Sequence, residues 1–377
     1  MNTILFEDVE FQIKDGCLYE MTNHGDRKDI YIPDKFPSGE QIHVICSDFC
    51  KGSYSKVVIS DNITMICPRA FSNSNIWAVQ WSSGCKEIPK DCFIGSCIKQ
   101  ITNIDEVERI GCSAFCNTHI IEFKWPSKCE VVPSFCFLGS RLISISNINN
   151  VKEIQDNAFS DCPIRAFVWP SKCQEIPSYC FDGDTELISV SNIENVNKIG
   201  AYAFQFCSIE RFNWPKKCKQ IPCYCFYRSR LKSISGIDNV EQVDEHAFSG
   251  TGFESFVWPS SCMSIPSYCF SGCRSLKSIA NIKNVEKIGV AAFHSSAIKS
   301  VFYSSKCTYV PKSCFANCMF LSEVTNLQNV TVIEEDAFKN DFVLKLDLSN
   351  TKIEIINKSA FQGVCDKNIV LPYYFSA

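Results

Sequence analysis

One phenylalanine recurs every 22 or 23 residues along most of the chain, and this spacing constrains the fold more than any other feature. Alanine or cysteine precedes it at every position but the first. A globular domain does not place one aromatic residue at a near-constant interval, so the sequence predicts a stack of repeated coils. The recurring residues are Phe49, Phe71, Phe93, Phe115, Phe137, Phe159, Phe181, Phe204, Phe226, Phe248, Phe270, Phe293, Phe315, Phe338 and Phe361.

Two kinds of coil alternate. One reads FVWPSKCQEIPSYCF (167–181) and is called the Trp coil; the other reads LISVSNIENVNKIGAYAF (187–204) and is called the Asn coil. The true period is therefore a pair of coils, 44 or 45 residues long. A unit of this length lies in the range of leucine-rich repeats, and since one coil cannot bury its apolar side alone, neighbouring coils must stack.

The pattern L-x-x-I-x-x-P-x-x-V-x-x-I-x-x-x-A-F resembles the BspA-type leucine-rich repeat over roughly residues 46–361. A cysteine three residues after the phenylalanine, as at Cys162, Cys207, Cys273 and Cys318, fits the same resemblance. The predicted fold class is an α/β-type repeat solenoid: a curved leucine-rich repeat array with a parallel β-sheet on its concave face and about 15 coils. The chain departs from the family pattern because isoleucine, phenylalanine and valine replace most strand leucines.

Three segments are predicted. Residues 1–45 form an N-terminal β-hairpin cap and entry, with the hairpin turning at Lys14-Asp15-Gly16 between alternating segments. Residues 46–361 form the BspA-type leucine-rich repeats. Residues 362–377 form a C-terminal cap, since the ends of a solenoid need covering.

A tryptophan holds one strand position of the Trp coils, where the Asn coils mostly hold asparagine. Because a phenylalanine often lies two residues before the tryptophan, and residues two apart share a strand face, both are predicted to face the core. The alternative is an exposed aromatic column that binds glycans. The asparagines are predicted to satisfy backbone groups through their amides. The aromatic position is held by Trp81, Trp125, Trp169, Trp214, Trp258 and Tyr303.

The chain has 25 cysteines, many at fixed repeat positions. The position of Cys173 is held by valine in the Asn coils, and that of Cys180 by alanine. Cysteines that alternate with small apolar residues are predicted to fill the core. Disulfides and metal binding remain alternatives, although the C-x-x-x-C spacings follow from the repeat itself. No metal site and no cofactor is predicted.

A net charge of −4 argues against nucleic acid as a partner. The N-terminus does not resemble a signal peptide, no membrane span is apparent and no lipid anchor is recognised, which together predict a cytoplasmic location. The family resemblance instead implies the cell surface.

No catalytic motif occurs, so the sequence predicts a protein that is not an enzyme. The predicted function is protein–protein interaction by a monomer that binds a partner on its concave sheet. The resemblance implies a surface adhesin with a host or matrix protein as partner; the alternative is lectin-like glycan binding. Outward strand residues form the predicted binding site: Glu122, Lys124, Arg165, Val168, Glu210, Arg211, Asn213, Glu254, Lys299 and Phe302.

Overall fold

The computed structural model describes residues 2–23, 28–50 and 52–375, and the chain divides into two compact units, residues 1–193 (unit 1) and 194–377 (unit 2). Both are built as a parallel β-solenoid, with about 15 turns in the chain, which confirms the predicted fold class. Helix among the described residues is limited to two 3₁₀ turns, Asp366–Asn368 and Tyr373–Phe375, and none of it could cross a membrane. Turns, rather than α-helices, therefore connect the strands.

Unit 1 begins with an antiparallel meander, β1 (Asn2–Phe6), β2 (Val9–Lys14) and β3 (Cys17–Asn23). The predicted hairpin is present between β2 and β3. Its two turn residues, Asp15 and Gly16, both have positive φ, 51° and 75°, as a type I′ turn requires. Strand β4 (Asp29–Ile32) opens the parallel sheet, and β5 (Val44–Ile45) pairs in parallel with β3. The segment boundaries at 45/46 and 361/362 remain predictions.

The coils of unit 1 each contribute one longer strand and one two-residue strand. They are β6 (Ser53–Ile59), β7 (Met65–Ile66), β8 (Asn75–Gln80), β9 (Glu87–Ile88), β10 (Gln100–Thr102), β11 (Arg109–Ile110), β12 (Glu122–Lys124), β13 (Val131–Val132), β14 (Ser144–Ser146), β15 (Glu153–Ile154), β16 (Ala166–Val168), β17 (Glu175–Ile176) and β18 (Ser189–Ser191).

Unit 2 continues the same alternation. Its strands are β19 (Lys198–Ile199), β20 (Arg211–Asn213), β21 (Gln220–Ile221), β22 (Ser233–Ser235), β23 (Gln242–Val243), β24 (Ser255–Val257), β25 (Ser264–Ile265), β26 (Ser278–Ala280), β27 (Lys287–Ile288), β28 (Ser300–Phe302), β29 (Tyr309–Val310), β30 (Glu323–Thr325), β31 (Val332–Ile333), β32 (Leu346–Asp347), β33 (Ile355–Ile356) and β34 (Ile369–Val370).

The recurring phenylalanines stack inside each unit. In unit 1 the rings of Phe93 and Phe115 lie 5.6 Å apart at 6°, and those of Phe115 and Phe137 lie 5.4 Å apart at 12°. In unit 2 the rings of Phe293 and Phe315 lie 5.5 Å apart at 4°. These side chains are fully buried, so each coil contributes one aromatic rung to a continuous apolar interior.

The tryptophans of the Trp coils face the interior, as predicted. Trp81, Trp125, Trp169, Trp214 and Trp258 are each 1% exposed or less. Their indole N–H groups are satisfied locally, because the segment from the tryptophan to the cysteine four residues later turns back on itself. In the coil quoted above, Trp169 Nε1 donates to the carbonyl oxygen of Cys173 at 3.2 Å, and Cys173 N donates to Pro170 O at 2.9 Å. A buried indole without such an acceptor would cost stability.

The asparagines follow the strands in left-handed backbone conformation and link neighbouring coils, which confirms the predicted use of their amides. Asn147 has φ 61°, and its Nδ2 donates to the carbonyl oxygen of Trp125 at 2.8 Å. Asn103 and Asn281 make the same bond to Trp81 and Trp258. Asparagine suits this position because it tolerates positive φ and offers an amide donor.

Replacing Asn147 by glycine should lower the free energy of unfolding by about 1 kcal/mol, because only the amide bond to Trp125 is lost. Replacing it by alanine should cost about 1–2 kcal/mol more, because alanine is strained at positive φ. Urea denaturation of the two variants beside the parent protein checks this. Equal stability of all three proteins would contradict the role given to the amide and to the backbone conformation.

The cysteines are free thiols, and most are buried, so core packing is confirmed. Several also donate to a carbonyl of the preceding coil, which valine or alanine cannot do. Cys173 Sγ lies 3.3 Å from Val151 O, and Cys162 Sγ lies 3.0 Å from Phe137 O. Burial raises the pKa of the Cys173 thiol to about 12, so this thiol is protonated and unreactive at neutral pH.

A thiol-reactive aromatic disulfide at pH 8 should therefore label the native protein promptly at Cys112 and Cys365, which are exposed. The five partly exposed cysteines should react more slowly, and all 25 should react after denaturation. Time-resolved mass spectrometry of the labelled peptides gives the order. Prompt labelling of Cys173 or Cys180 in native protein would contradict their placement in the interior.

Candidate functional site

The exposed side chains of the three-residue strands, with the residue just before each strand, form a surface that we call the strand face. In each Trp coil the middle strand residue is buried, as with Phe123 and Phe167, and the residues on either side are exposed. The alternation follows from the period of two along a strand. All ten residues of the predicted binding site are exposed on this face.

Unit 1 carries four of the predicted residues: Glu122 and Lys124 on β12, Val168 on β16, and Arg165 just before β16. Lys124 Nζ lies 3.0 Å from Asp105 Oδ1, so part of its charge is balanced within the chain. Val168 is 63% exposed at the third position of β16.

Unit 2 carries the other six, namely Glu210, Arg211, Asn213, Glu254, Lys299 and Phe302. Its two glutamates each pair with a lysine of the next coil: Glu210 with Lys232 at 2.6 Å, and Glu254 with Lys277 at 2.8 Å. Hydrogen bonding from these lysines holds the pKa of both carboxyls below its usual value. Phe302 projects from β28 and is 58% exposed.

The three-residue strands pair in twos, which the sequence did not reveal. In unit 1, β12 pairs with β14 and β16 with β18, but β14 and β16 are not joined by a ladder. In unit 2, β22 and β24 are likewise not joined. The middle residue of the Asn coils, such as Ile145 or Ile234, is consequently only half-buried. Open grooves lie at such gaps between strand pairs, one beside β12 and another between β22 and β24.

Sequence reasoning missed an apolar feature of unit 1. One column of residues lies four positions before the aromatic strand residue of each Trp coil and four positions before the equivalent residue of each Asn coil. We call it the leading column. In unit 1 it includes Trp77, Ile121, Ile143 and Ile188, which are exposed by 51%, 46%, 49% and 47%. The signal was present in the sequence as isoleucines at one repeat position, but an isoleucine in a repeat is ordinarily interpreted as interior.

The glycan alternative depended on an exposed column of tryptophans, and that premise is wrong, because those side chains lie inside the coils. Trp77 is exposed, but it lies outside that column, and Lys99 Nζ covers its ring at 4.6 Å from the centroid. The asparagines that alternate with the tryptophans use their Nδ2 groups within the chain, as at Asn103. The aromatic column thus stabilises the fold.

The described residues contain no group of three histidine, cysteine, aspartate or glutamate side chains arranged to hold a metal ion. Burial lowers the pKa of His119, His246 and His294, which lie on separate coils. Two carboxyls, Asp184 and Asp341, are fully buried in the interior rather than at the surface.

A family model described as the BspA type leucine rich repeat region, with six copies, matches residues 41–165, 108–232, 152–270 and 241–368. Together these matches run without a gap from residue 41 to residue 368. The chain belongs to the BspA-type leucine-rich repeat family. The predicted resemblance is thus confirmed.

Two solved structures share the fold of these BspA-type coils, and a third is similar in the share of each chain that aligns. The pneumococcal vaccine antigen PcpA is 17% identical, covers 95% of this chain and 98% of its own, and has a TM-score of 0.56. A leucine-rich repeat protein from Bacteroides ovatus is 19% identical, with coverage of 96% and 89% and a TM-score of 0.50. A leucine rich cell surface protein from Faecalibacterium prausnitzii is 18% identical, with coverage of 95% and 94% and a TM-score of 0.43. A comparison with curated protein sequences found no match.

Proposed function

We propose that the protein is a non-enzymatic interaction module that binds a protein partner through its strand face. The observation that carries the proposal is the exposure of Val168, Val257 and Phe302 at the third strand position, among serines and mixed charges. Exposed apolar side chains held on a rigid sheet lose little entropy on binding, and surrounding polar groups supply specificity. The mixture of charges favours a protein surface over nucleic acid.

We further propose that the protein is displayed at the cell surface and that its partner is a host or matrix protein. This proposal is motivated by the family and by the fold shared with the pneumococcal vaccine antigen. Labelling of intact cells with a membrane-impermeant biotin reagent tests it. Labelled protein on intact cells is the expected result, and protein found only in the cytosolic fraction would contradict surface display.

Photo-crosslinking tests the binding face. Benzoylphenylalanine replaces Phe302 on the strand face in one variant and Phe206, a phenylalanine 38% exposed on a turn of the same unit, in a matched control. Both changes keep an aromatic ring in place, so both proteins should fold. The expected result is a covalent adduct with one discrete protein from position 302 and none from position 206. Equal adducts from both positions, or none from either, would contradict the proposal.

A further inference from the structure

The leading column changes character between the two units. In unit 1 it holds Trp77, Ile121, Ile143 and Ile188, each about half exposed, with Lys99 between Trp77 and Ile121 and Arg165 between Ile143 and Ile188. In unit 2 the same repeat position is polar and holds Glu210, Lys232, Glu254, Lys277, Lys299 and Ser322. The coils are otherwise alike, so the needs of the fold do not explain why only unit 1 presents apolar side chains here.

Backbone hydrogen bonds hold the members of the unit 1 column in adjacent coils. Ile143 N donates to Ile121 O at 2.8 Å, and Lys99 N donates to Trp77 O at 2.8 Å. Since the backbone is fixed by these bonds, the exposed side chains form a preorganised line that is one residue wide.

The two charged members of the column in unit 1, Lys99 and Arg165, are both cations. Beside the column, Lys124 pairs with Asp105, and Glu122 and Glu186 are acidic. Lys99 lies over the ring of Trp77, so one of the two cations is held against the exposed indole. The whole chain has a net charge of −4, so the charge carried by the column in unit 1 is opposite in sign to that of the protein as a whole.

We propose that the leading column of unit 1, from Trp77 to Ile188, is the docking line for an extended segment of a protein partner in which apolar residues alternate with acidic ones. The inference rests on the proposed function and specifies its partner. Apolar side chains of the segment contact Trp77 and the isoleucines, and its carboxylates pair with Lys99 and Arg165. Six coils at about 4.8 Å or more span at least roughly 24 Å, which corresponds to about seven or more residues of extended chain.

The same position in unit 2 does not offer this chemistry. Its carboxylates pair with lysines of the next coil, as Glu210 does with Lys232 and Glu254 with Lys277. A segment laid on this column would have to displace ion pairs and would find no apolar side chain at the column position, so the column of unit 2 serves as an internal control.

The test uses the full chain and a fluorescein-labelled nine-residue peptide in which glutamate alternates with leucine, with one central phenylalanine. Fluorescence anisotropy measures its affinity, and the emission of Trp77, the exposed indole, reports contact. The double variant I121S/I143S and the charge-reversal variant K99E/R165E should each weaken binding at least tenfold. The unit 2 variant K219S/E241S, which removes an exposed ion pair beside the two-residue strands and off the strand face, should bind like the parent. All substituted side chains are exposed, so denaturation midpoints should be unchanged.

Several results would overturn the inference. They are undetectable binding of the acidic peptide, equal binding of a peptide with lysine in place of glutamate, or affinity that survives I121S/I143S. Binding of anionic lipid vesicles in preference to the peptide, through the same isoleucines, would assign the line to membranes instead. If crosslinking from position 302 still captures a protein while the peptide fails, only this inference falls. If both fail, the proposed function falls with it.

Discussion

Replacing Phe137 by alanine is expected to destabilise unit 1 by about 3–5 kcal/mol. Its ring stacks between Phe115 at 5.4 Å and Phe159 at 6.0 Å, and it meets Phe123 edge-on at 5.1 Å and Trp125 at 6.4 Å. The side chain is fully buried, so the variant loses apolar burial and leaves a cavity between three coils. Because a coil is stabilised by its neighbours, the loss weakens both adjoining interfaces.

Urea denaturation, monitored by circular dichroism, measures the loss of stability. Phe302→Ala is the matched control: the same chemical change on an exposed phenylalanine should shift stability by about 0.5 kcal/mol or less. Similar losses of stability in the two variants would show that Phe137 is not one of the stacked interior phenylalanines.

The second large effect concerns Asp341, a buried carboxyl in unit 2. It occupies the position three residues after the recurring phenylalanine, where most coils hold serine, threonine or cysteine, as at Ser296 and Thr251, and one coil of unit 1 holds Asp184. Its Oδ1 accepts from Cys318 N at 2.8 Å, while its Oδ2 is buried without a hydrogen-bond partner. Burial raises the pKa of Asp341 to about 9, against about 3.9 for an unfolded aspartate.

Because the pKa of Asp341 is raised in the folded state, its protonated carboxyl makes its full contribution to the free energy of unfolding below about pH 4, and this contribution is lost as pH rises toward 9. Between these pH values the free energy of unfolding should fall by up to about 1.4 kcal/mol per pH unit. Asp341→Asn keeps the acceptor for Cys318 and carries no charge, so it should be more stable than the parent by several kcal/mol at pH 8 and similar to it at pH 4.

The difference between the denaturation midpoints of the two proteins from pH 4 to 8 tests this, because the ionisation of unfolded thiols near pH 8 affects both proteins equally. Asp347→Asn is the control, because Asp347 is exposed and a hydrogen bond from Ser349 lowers its pKa. Asp347→Asn should be slightly less stable than the parent protein at pH 8, and this difference should shrink toward pH 4. Parallel curves for the parent protein and Asp341→Asn would mean that the Asp341 carboxyl is hydrated and ionised.

The sequence predicted features that repeat. Phe137, Trp169 and Cys173 each have equivalents in other coils, so their common environment could be inferred by comparing one coil with another. The amide of Asn147 was also predictable, because few residues both tolerate positive φ and donate a hydrogen bond. The Asp-Gly turn of the first hairpin followed from local turn chemistry.

Features that break the repeat were not predicted. Asp341 was overlooked because an aspartate beside a turn is ordinarily solvated, and only the packed structure shows that its carboxyl is enclosed. Ile121 and Ile143 resemble interior residues in the sequence, and their exposure depends on where the strand begins in the coil. The same limit applies to the aromatic stack on the turns of unit 2, where the ring of His246 lies 4.4 Å from that of Tyr224 and 4.5 Å from that of Tyr268.

The most direct test of the solenoid account is acrylamide quenching of tryptophan emission in the variant Trp77→Phe. This change removes the exposed indole and leaves the five indoles that the structure places inside successive Trp coils. Because the five remaining indoles are buried, the folded variant should show blue-shifted emission that acrylamide barely quenches until the protein unfolds. Red-shifted emission that is quenched freely in the folded variant would place those indoles in water and contradict the stacking of the coils.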